Sequence, residues 1–390
     1  MSILKREKVV RPILDLLHNA INNTGVTTEL PDIRSLCLVR MMELAIRIGN
    51  LPPSMRIDSD VQYLPNSVSY VAKGGFGYIF KTRRRSDDAL IAIKVPKEEI
   101  QEKQKSIFRE VILWSCLRHA NILPFIGTCK FRGRFPCIAS PWMERGTVIE
   151  YCSDRSGYLS VKLKLLGQVA SALDYLHNHD PQVVHEDVRG ANILVNDLGN
   201  AVLSDFGISR INSEAFADLS SRLQHGNIRW TAPELLFETK DGHQPKPRSQ
   251  ADWNMFDSGS NVTKASTHSD MWSFGMTIVE VLTGRVPFAD AIGRFDAAVV
   301  MHIHDRNLPR RPAPDGVDVP DPLWRAIEQC WDERPEARPS ASQMVSHLKD
   351  AEIMLEVNVQ LRPEPSVLRD IDTREGRPLY SSTSAVRLNQ

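Results

Sequence analysis

The chain has 390 residues, 42% hydrophobic and 25% charged, enough to bury a large core as one extended domain or as two. Lysine plus arginine totals 48 and aspartate plus glutamate totals 48, so the net charge is zero, without the basic excess of a nucleic-acid binder. No apolar run approaches the roughly 20 residues that span a bilayer, and the amino terminus lacks a secretory signal, so an intracellular protein, cytoplasmic or nuclear, with no membrane or nucleic-acid partner is expected.

Residues 1–60 read as a helical extension. Val9, Val10, Ile13, Leu14, Leu17 and Ile21 recur at helical spacing, and Asn22-Asn23-Thr24-Gly25 breaks the pattern. A second stretch from about Ile33 through Leu36, Val39, Met42 and Ile46 stops at Gly49 and Pro52-Pro53. Two such helices either dock on the next domain, the reading favoured here, or offer a groove to a partner. From about Tyr63 to Arg85, β-branched and aromatic residues surround a glycine cluster, and Ala89 to Val95 reads as a short strand. Gln101 to Leu117 is helical, strand-like runs follow up to Ala139, and after Val161 most of the chain is helical. A small strand-rich part followed by a larger helical part suggests two lobes. Residues 240–267 are polar and rich in Pro, Gly, Ser and Asp, which predicts a long mobile surface loop or a disordered insert, and residues 353–390 are expected to form a disordered tail. The six cysteines, Cys37, Cys116, Cys129, Cys137, Cys152 and Cys330, lack Cys-x-x-Cys or zinc-ligand spacing and read as reduced, mostly buried thiols.

Four segments carry chemistry. Val71-Ala72-Lys73-Gly74-Gly75-Phe76-Gly77-Tyr78-Ile79 lies between two strand-like runs, where glycines let backbone amides approach an anion, although such clusters also mark plain hairpins. Lys94 ends a buried strand, which is costly unless it is paired, and the next helix supplies Glu110. The pair reads either as a phosphate-holding couple or as a solvated lysine beside an exposed glutamate. His185-Glu186-Asp187-Val188-Arg189-Gly190-Ala191-Asn192 follows the apolar Val183-Val184 and can place a carboxylate at a hydroxyl and an amide oxygen at a metal. Ser204-Asp205-Phe206-Gly207 follows another strand, and its carboxylate can bridge Mg²⁺ to phosphates. Each alone is compatible with a turn. Their order and flanking strands form a combined signature of phosphoryl transfer from ATP.

With Ala232-Pro233-Glu234, the segments Asp270-Met271-Trp272-Ser273-Phe274-Gly275 and Cys330-Trp331 with Arg338 extend the match. Over about residues 65–352 the chain resembles a eukaryotic protein kinase of the tyrosine-kinase-like type, and is similar to a large group of fungal, mushroom-type kinases. The resemblance implies an α+β, bilobal fold with a small β-rich lobe and a large helical lobe. It implies ATP and Mg²⁺ as cofactors and proteins as substrates. Asp187, Lys94, Arg189 and Asn192 would be the catalytic set, and Asn192 and Asp205 the metal ligands. Val71, Ala72, Lys73, Gly74, Gly75, Gly77 and Ile79 would cover the nucleotide, and Ala92 and Leu194 would sandwich adenine. Ser140 would be the gatekeeper, with the backbone of Pro141 and Met143 hydrogen-bonding the base and Glu110 positioning Lys94. Trp114 would pack towards Phe206 and His185, Glu234 would pair with Arg338, and Asp270 would anchor the catalytic loop.

Three departures from the family pattern stand out. Ala72 replaces the first glycine, Glu186 replaces an arginine, and Asn227 replaces a threonine. They keep a second reading open, a pseudokinase scaffold that binds nucleotide or partners without efficient catalysis. Among hydroxyls, serine and threonine are favoured over tyrosine, because the segment before Ala232 lacks the longer tyrosine-kinase pattern.

Overall fold

In a computed structural model, residues 3–22, 31–62, 70–73, 77–96, 101–153, 159–206, 210–211, 227–238, 246–247, 264–289, 296–312 and 318–360 are described. Gly74, Gly75, Gly207, most of the 240–267 stretch and residues 361–390 lie outside them.

The upper layer is a five-stranded antiparallel sheet of β1 (Ala72–Lys73), β2 (Gly77–Arg83), β3 (Leu90–Pro96), β4 (Gly127–Phe131) and β5 (Arg134–Pro141). Its strand order is β1-β2-β3-β5-β4, because helix α3 (Gln101–Ser115) carries the chain from β3 to the far edge. Alternation along β3 sorts its residues by face. Ile91, Ile93 and Val95 are buried against Phe80, Cys129, Phe131 and Cys137, whereas Ala92 and Lys94 point the other way and are half-buried. Register extends that second face across three strands: Ile79 lies opposite Lys94 and Lys94 opposite Ile138, while Ala92 lies opposite Ser140. The strand predicted over 89–95 runs from Leu90 to Pro96, one residue later.

The lower lobe is helical. Helices α4 (Val148–Ser153) and α5 (Leu159–His177) precede the short pairs β6 (Val183–Val184) with β9 (Arg210–Ile211), and β7 (Ile193–Val195) with β8 (Ala201–Leu203). Then come α6 (Pro233–Leu236), the pair β10 (Phe237–Glu238) and β11 (Lys246–Pro247), α7 (Thr267–Thr283), α8 (Asp296–His304), α9 (Asp321–Gln329) and α10 (Ala341–Gln360). Helix α7 is buried from Ser269 to Leu282, so it forms the centre of the lobe. Ser266 caps its amino terminus by accepting from the Ser269 amide, so the expected 240–267 loop gives way to regular structure at its end.

One expectation needs correction. Residues 353–360 do not begin a tail: α10 continues to Gln360, since no glycine or proline interrupts it until Pro363. Ile353, Met354 and Val357 are its exposed apolar residues.

The amino-terminal extension docks on the upper lobe. Helix α1 (Ile3–Asn22) buries Leu14 and Ile21, and α2 (Pro31–Ile48) buries Leu38, Met41, Met42 and Ala45, both stripes at helical spacing. The chain then runs along the sheet edge. Ile57 N donates to Thr128 O at 2.9 Å, Lys130 N to Asp58 Oδ1 at 2.7 Å, and Gln62 N to Arg83 O at 2.9 Å. It crosses so close to β4 that a β-carbon on Gly127 would lie 2.8 Å from Met55 O and 2.7 Å from Ile57 Cγ2. Among the described residues no helix is long and apolar enough to cross a membrane.

Candidate active site

The two lobes meet at a cluster of buried ionisable groups. Lys94, on the cleft face of β3, donates from Nζ to Glu110 Oε1 at 2.7 Å and to Asp205 Oδ1 at 2.8 Å. Its side chain is 17% exposed and that of Glu110 only 5%, so the lysine is paired rather than solvated. Burial alone would discharge Lys94, but Asp205 and Glu110 outweigh it and raise its pKa, so the ammonium persists. Of the two readings the sequence allowed for this couple, the solvated one is excluded.

Glu110 arrives because α3 presents it on the same face as Trp114, one turn on. Trp114 lies 5.7 Å from Phe206 by ring centroids, and His185 meets Phe206 edge-on at 5.3 Å. Fully buried Phe206 thereby holds its neighbour Asp205 beneath Lys94. Asp205 has φ of 66° and Glu186 of 70°, left-handed values that cost energy in residues bearing a β-carbon and gather at functional sites.

Asp187 is the second centre. Its Oδ2 accepts from Asn192 Nδ2 at 2.7 Å, and its Oδ1 from Asn227 Nδ2 at 2.6 Å. Arg189 Nε stands 3.1 Å from Oδ1, an ion-pair contact that lacks hydrogen-bond alignment. Burial raises the Asp187 pKa above the usual carboxylate value, with Arg189 opposing and Asp205 adding to the shift. Asn192 also donates to Asp187 O at 2.8 Å. With its nitrogen so engaged, its amide oxygen is the group left for a metal. Ser204 joins the centres, donating from N and Oγ to Asn192 O at 2.8 and 2.9 Å.

Beneath the loop, Asp270 is fully buried and accepts from the backbone amides of His185 and Glu186, both at 2.8 Å, and from His177 Nε2 at 2.9 Å. Glu280 was not singled out by sequence reasoning, yet its Oε2 accepts from Gly190 N at 2.8 Å and Trp230 Nε1 at 3.1 Å. It ties the catalytic loop to the segment before Ala232. Burial raises its pKa, and those donors hold it down in part. Gly190 passes so tightly here that a β-carbon would meet Ile149 Cγ1 at 2.6 Å and Glu280 Cδ at 3.0 Å. The available signal was a carboxylate inside an apolar helical run, which demands a partner.

Arg338 and Glu234 form a two-pronged pair at 2.7 and 2.8 Å. Ile79 and Ala92 share the cleft face with Lys94, Ser140 is buried beside Ala92, and Pro141, Met143 and half-buried Leu194 follow on the strand end and on β7. Val71 and Ala72 are exposed on the β1 side, and the backbone of Lys73 and Gly77 flanks Gly74 and Gly75, which lie outside the described residues. The donor set suits Mg²⁺: Asp205 and Asn192 offer hard oxygens, and this ion takes one or two carboxylates alongside phosphate and water. Among the described residues no cluster of three or more His, Cys, Asp or Glu could hold a metal without such help.

Comparison with known proteins gives a consistent picture. The family model described as "Protein tyrosine and serine/threonine kinase" matches residues 66–348. The human serine/threonine-protein kinase TNNI3K is 26% identical over 406 residues, covering 99% of this chain and 44% of that protein. The dual specificity protein kinase splA of Dictyostelium discoideum is 29% identical over 303 residues, covering 72% of this chain and 11% of that protein. The serine/threonine-protein kinase STY17 of Arabidopsis thaliana is 25% identical over 281 residues, covering 71% and 43%. The chain thus spans less than half the length of these relatives. The family match covers more than half of the chain, from the strands above the cleft to the helices below it, and the chain belongs to the protein tyrosine and serine/threonine kinase family.

Proposed function

We propose that this chain transfers the γ-phosphate of Mg-ATP to serine or threonine hydroxyls of proteins. The observation that carries the reading is Lys94, a half-buried cation held between Glu110 and Asp205 at 2.7 and 2.8 Å. A charged lysine fixed by two carboxylates is preorganised to meet phosphate oxygens without reorganisation. Asp205 and Asn192 would hold the metal. When bound, Mg²⁺ supplies charge neutralisation at the phosphates.

Asp187 orients the attacking hydroxyl and takes up its proton. Its carboxylate is held on both oxygens, so it has one orientation rather than a spread. Arg189 beside it offers positive charge where negative charge gathers on the transferred group. Asn227, one of the three departures that motivated a scaffold reading, donates to this same carboxylate and thereby counts for catalysis.

A folded platform supports protein substrates over metabolites. Arg229 donates to Pro287 O at 2.8 Å, Trp230 to Glu280, and Glu234 is clamped by Arg338, so residues 227–236 are tied to the helical lobe at three points. Preference for serine and threonine draws on the names of TNNI3K and STY17, while splA is named for dual specificity. An intracellular site of action is supported by six free thiols, five of them buried.

The test is labelled Mg-ATP with a mixed peptide library, followed by phosphoamino-acid analysis. Lys94→Met and Asp205→Asn should each lower turnover by about 10² or more, with the far-ultraviolet circular dichroism of a folded protein retained. Unchanged turnover in either variant removes the assignment.

A further inference from the structure

Glu110 reaches Lys94 only if α3 stays where it is. Over its second half α3 is enclosed on every side: Phe108, Glu110, Val111, Ile112, Leu113, Trp114 and Ser115 are all buried. A helix enclosed all round needs cover on the side away from the sheet and cleft. Glu110 and Trp114 take the cleft side, towards Lys94 and Phe206. Helix α2 packs along α3, and its stripe of Leu38, Met41, Met42 and Ala45 is buried in one cluster with Phe108, Val111 and Ile112.

Polar ties fix this cover to both lobes. Arg34 Nη2 donates to Cys116 O, just beyond α3, at 3.4 Å. Ser35 Oγ donates to Asp180 Oδ1 at 2.7 Å, on the segment that leads into β6 and the catalytic loop. At the far end of the hairpin Asp15 Oδ1 accepts from Ser54 N at 2.9 Å, where the chain turns towards β4. The hairpin therefore touches the helix that bears Glu110, the turn at Pro53–Met55 that precedes the sheet edge, and the approach to Asp187.

We propose that the α1–α2 hairpin is a positioning element that holds α3 inward, so that this chain carries in its own extension the part that keeps Glu110 on Lys94. The proposal rests on the kinase reading above and names how its nucleotide site is kept assembled. The physical basis is a two-position helix: if α3 can swing away, nucleotide affinity falls by the fraction of molecules with α3 inward. Apolar cover from α2 is lost in the swung position, so it biases the equilibrium inward.

The experiment is a double-mutant cycle in the full chain. Met41→Ala with Met42→Ala is built in the parent and in a Glu110→Gln background, beside the conservative pair Met41→Leu with Met42→Leu. Affinity for a fluorescent Mg-ATP analogue and the thermal midpoint are measured for each. If the alanine pair leaves one molecule in ten inward, binding weakens about tenfold in the parent. In the Glu110→Gln background the same pair should change affinity less than about twofold, because the contact it serves is already gone. The leucine pair should restore parental binding. Equal weakening in both backgrounds, or a lower midpoint with unchanged affinity, overturns the proposal and leaves the hairpin a purely structural role. If the alanine pair does not fold, Ser35→Ala is run through the same cycle with the same two outcomes. A parent that binds the analogue but phosphorylates no peptide removes the kinase reading alone, and the cycle still decides this one.

Discussion

Arg338→Met tests how the helical lobe holds residues 227–236 in place. The guanidinium is fully buried, against 16% exposure for the Glu234 side chain it grips. Besides the two contacts to Glu234, Nε donates to Asp332 O at 3.1 Å, Nη1 to His268 O at 3.0 Å, and the group lies 5.2 Å above the Trp272 ring. Methionine fills comparable volume but donates nothing, so Glu234 is left as a carboxylate in a poorly hydrated site. Breaking a buried pair from one side costs about 3–5 kcal/mol. For a domain of this size that is a drop in unfolding midpoint of roughly 6–20 °C, at about 2–4 °C per kcal/mol. Adding Glu234→Gln should return part of the loss, because a neutral amide needs no counter-charge. Scanning calorimetry of parent, single and double variants is the assay. A midpoint within about 4 °C of the parent for the single variant, or a double variant no better than the single, refutes the reasoning.

Two further predictions concern protons and phosphates. With Asp187 as the proposed acceptor of the hydroxyl's proton, turnover requires its ionised form, and burial raises its pKa, so kcat/KM should fall with decreasing pH along a limb that lies above the ordinary value of 3.8. Asn227→Ala removes a hydrogen bond to the charged form and should move that limb higher still, and an unmoved limb in the pH profile would show that the contact does not tune Asp187. Glu186 stands where related kinases pair an arginine with an activation-segment phosphate, so replacing Ser213, Ser220 and Ser221 together by alanine should leave most turnover intact. Loss of most activity in both the triple variant and a phosphatase-treated parent would reveal a phosphate switch and defeat this view of Glu186.

The chemistry was more legible in the sequence than the mechanics that support it. Lys94, Asp187 and Asp205 stand in short motifs that are ambiguous singly and specific in their combined order, and the structure brings Lys94 and Asp205 together directly. Asn227 counted among the departures from the family pattern, since nothing local in the sequence says that residue 227 returns to residue 187. Glu280 escaped for the same reason: its partners, Gly190 and Trp230, are set by tertiary packing. The helical periodicity of the amino terminus gave two helices but left their cover undecided, because a stripe such as Leu38, Met41 and Met42 fits any apolar face. The end of α10 was placed too early because its last two turns expose Ile353, Met354 and Val357, which blurs the apolar period without stopping the helix.

The close crossing at Gly127 carries a consequence for the order in which the protein assembles. On the ribosome, α1, α2 and residues 51–62, which run along the sheet edge, emerge before the α3 and β4 surfaces they cover. At about 5–20 residues per second, roughly three to thirteen seconds pass between completion of α2 at Ile48 and completion of α3 at Ser115. For that interval α2 has α1 but not α3 to pack against, and residues 51–62 cannot settle until β4 presents Gly127 beneath Met55 and Ile57. Helices α1 and α2 are thus made ahead of the α3 face they cover, so nascent chains stalled before β4 present an apolar surface that a chaperone would shield.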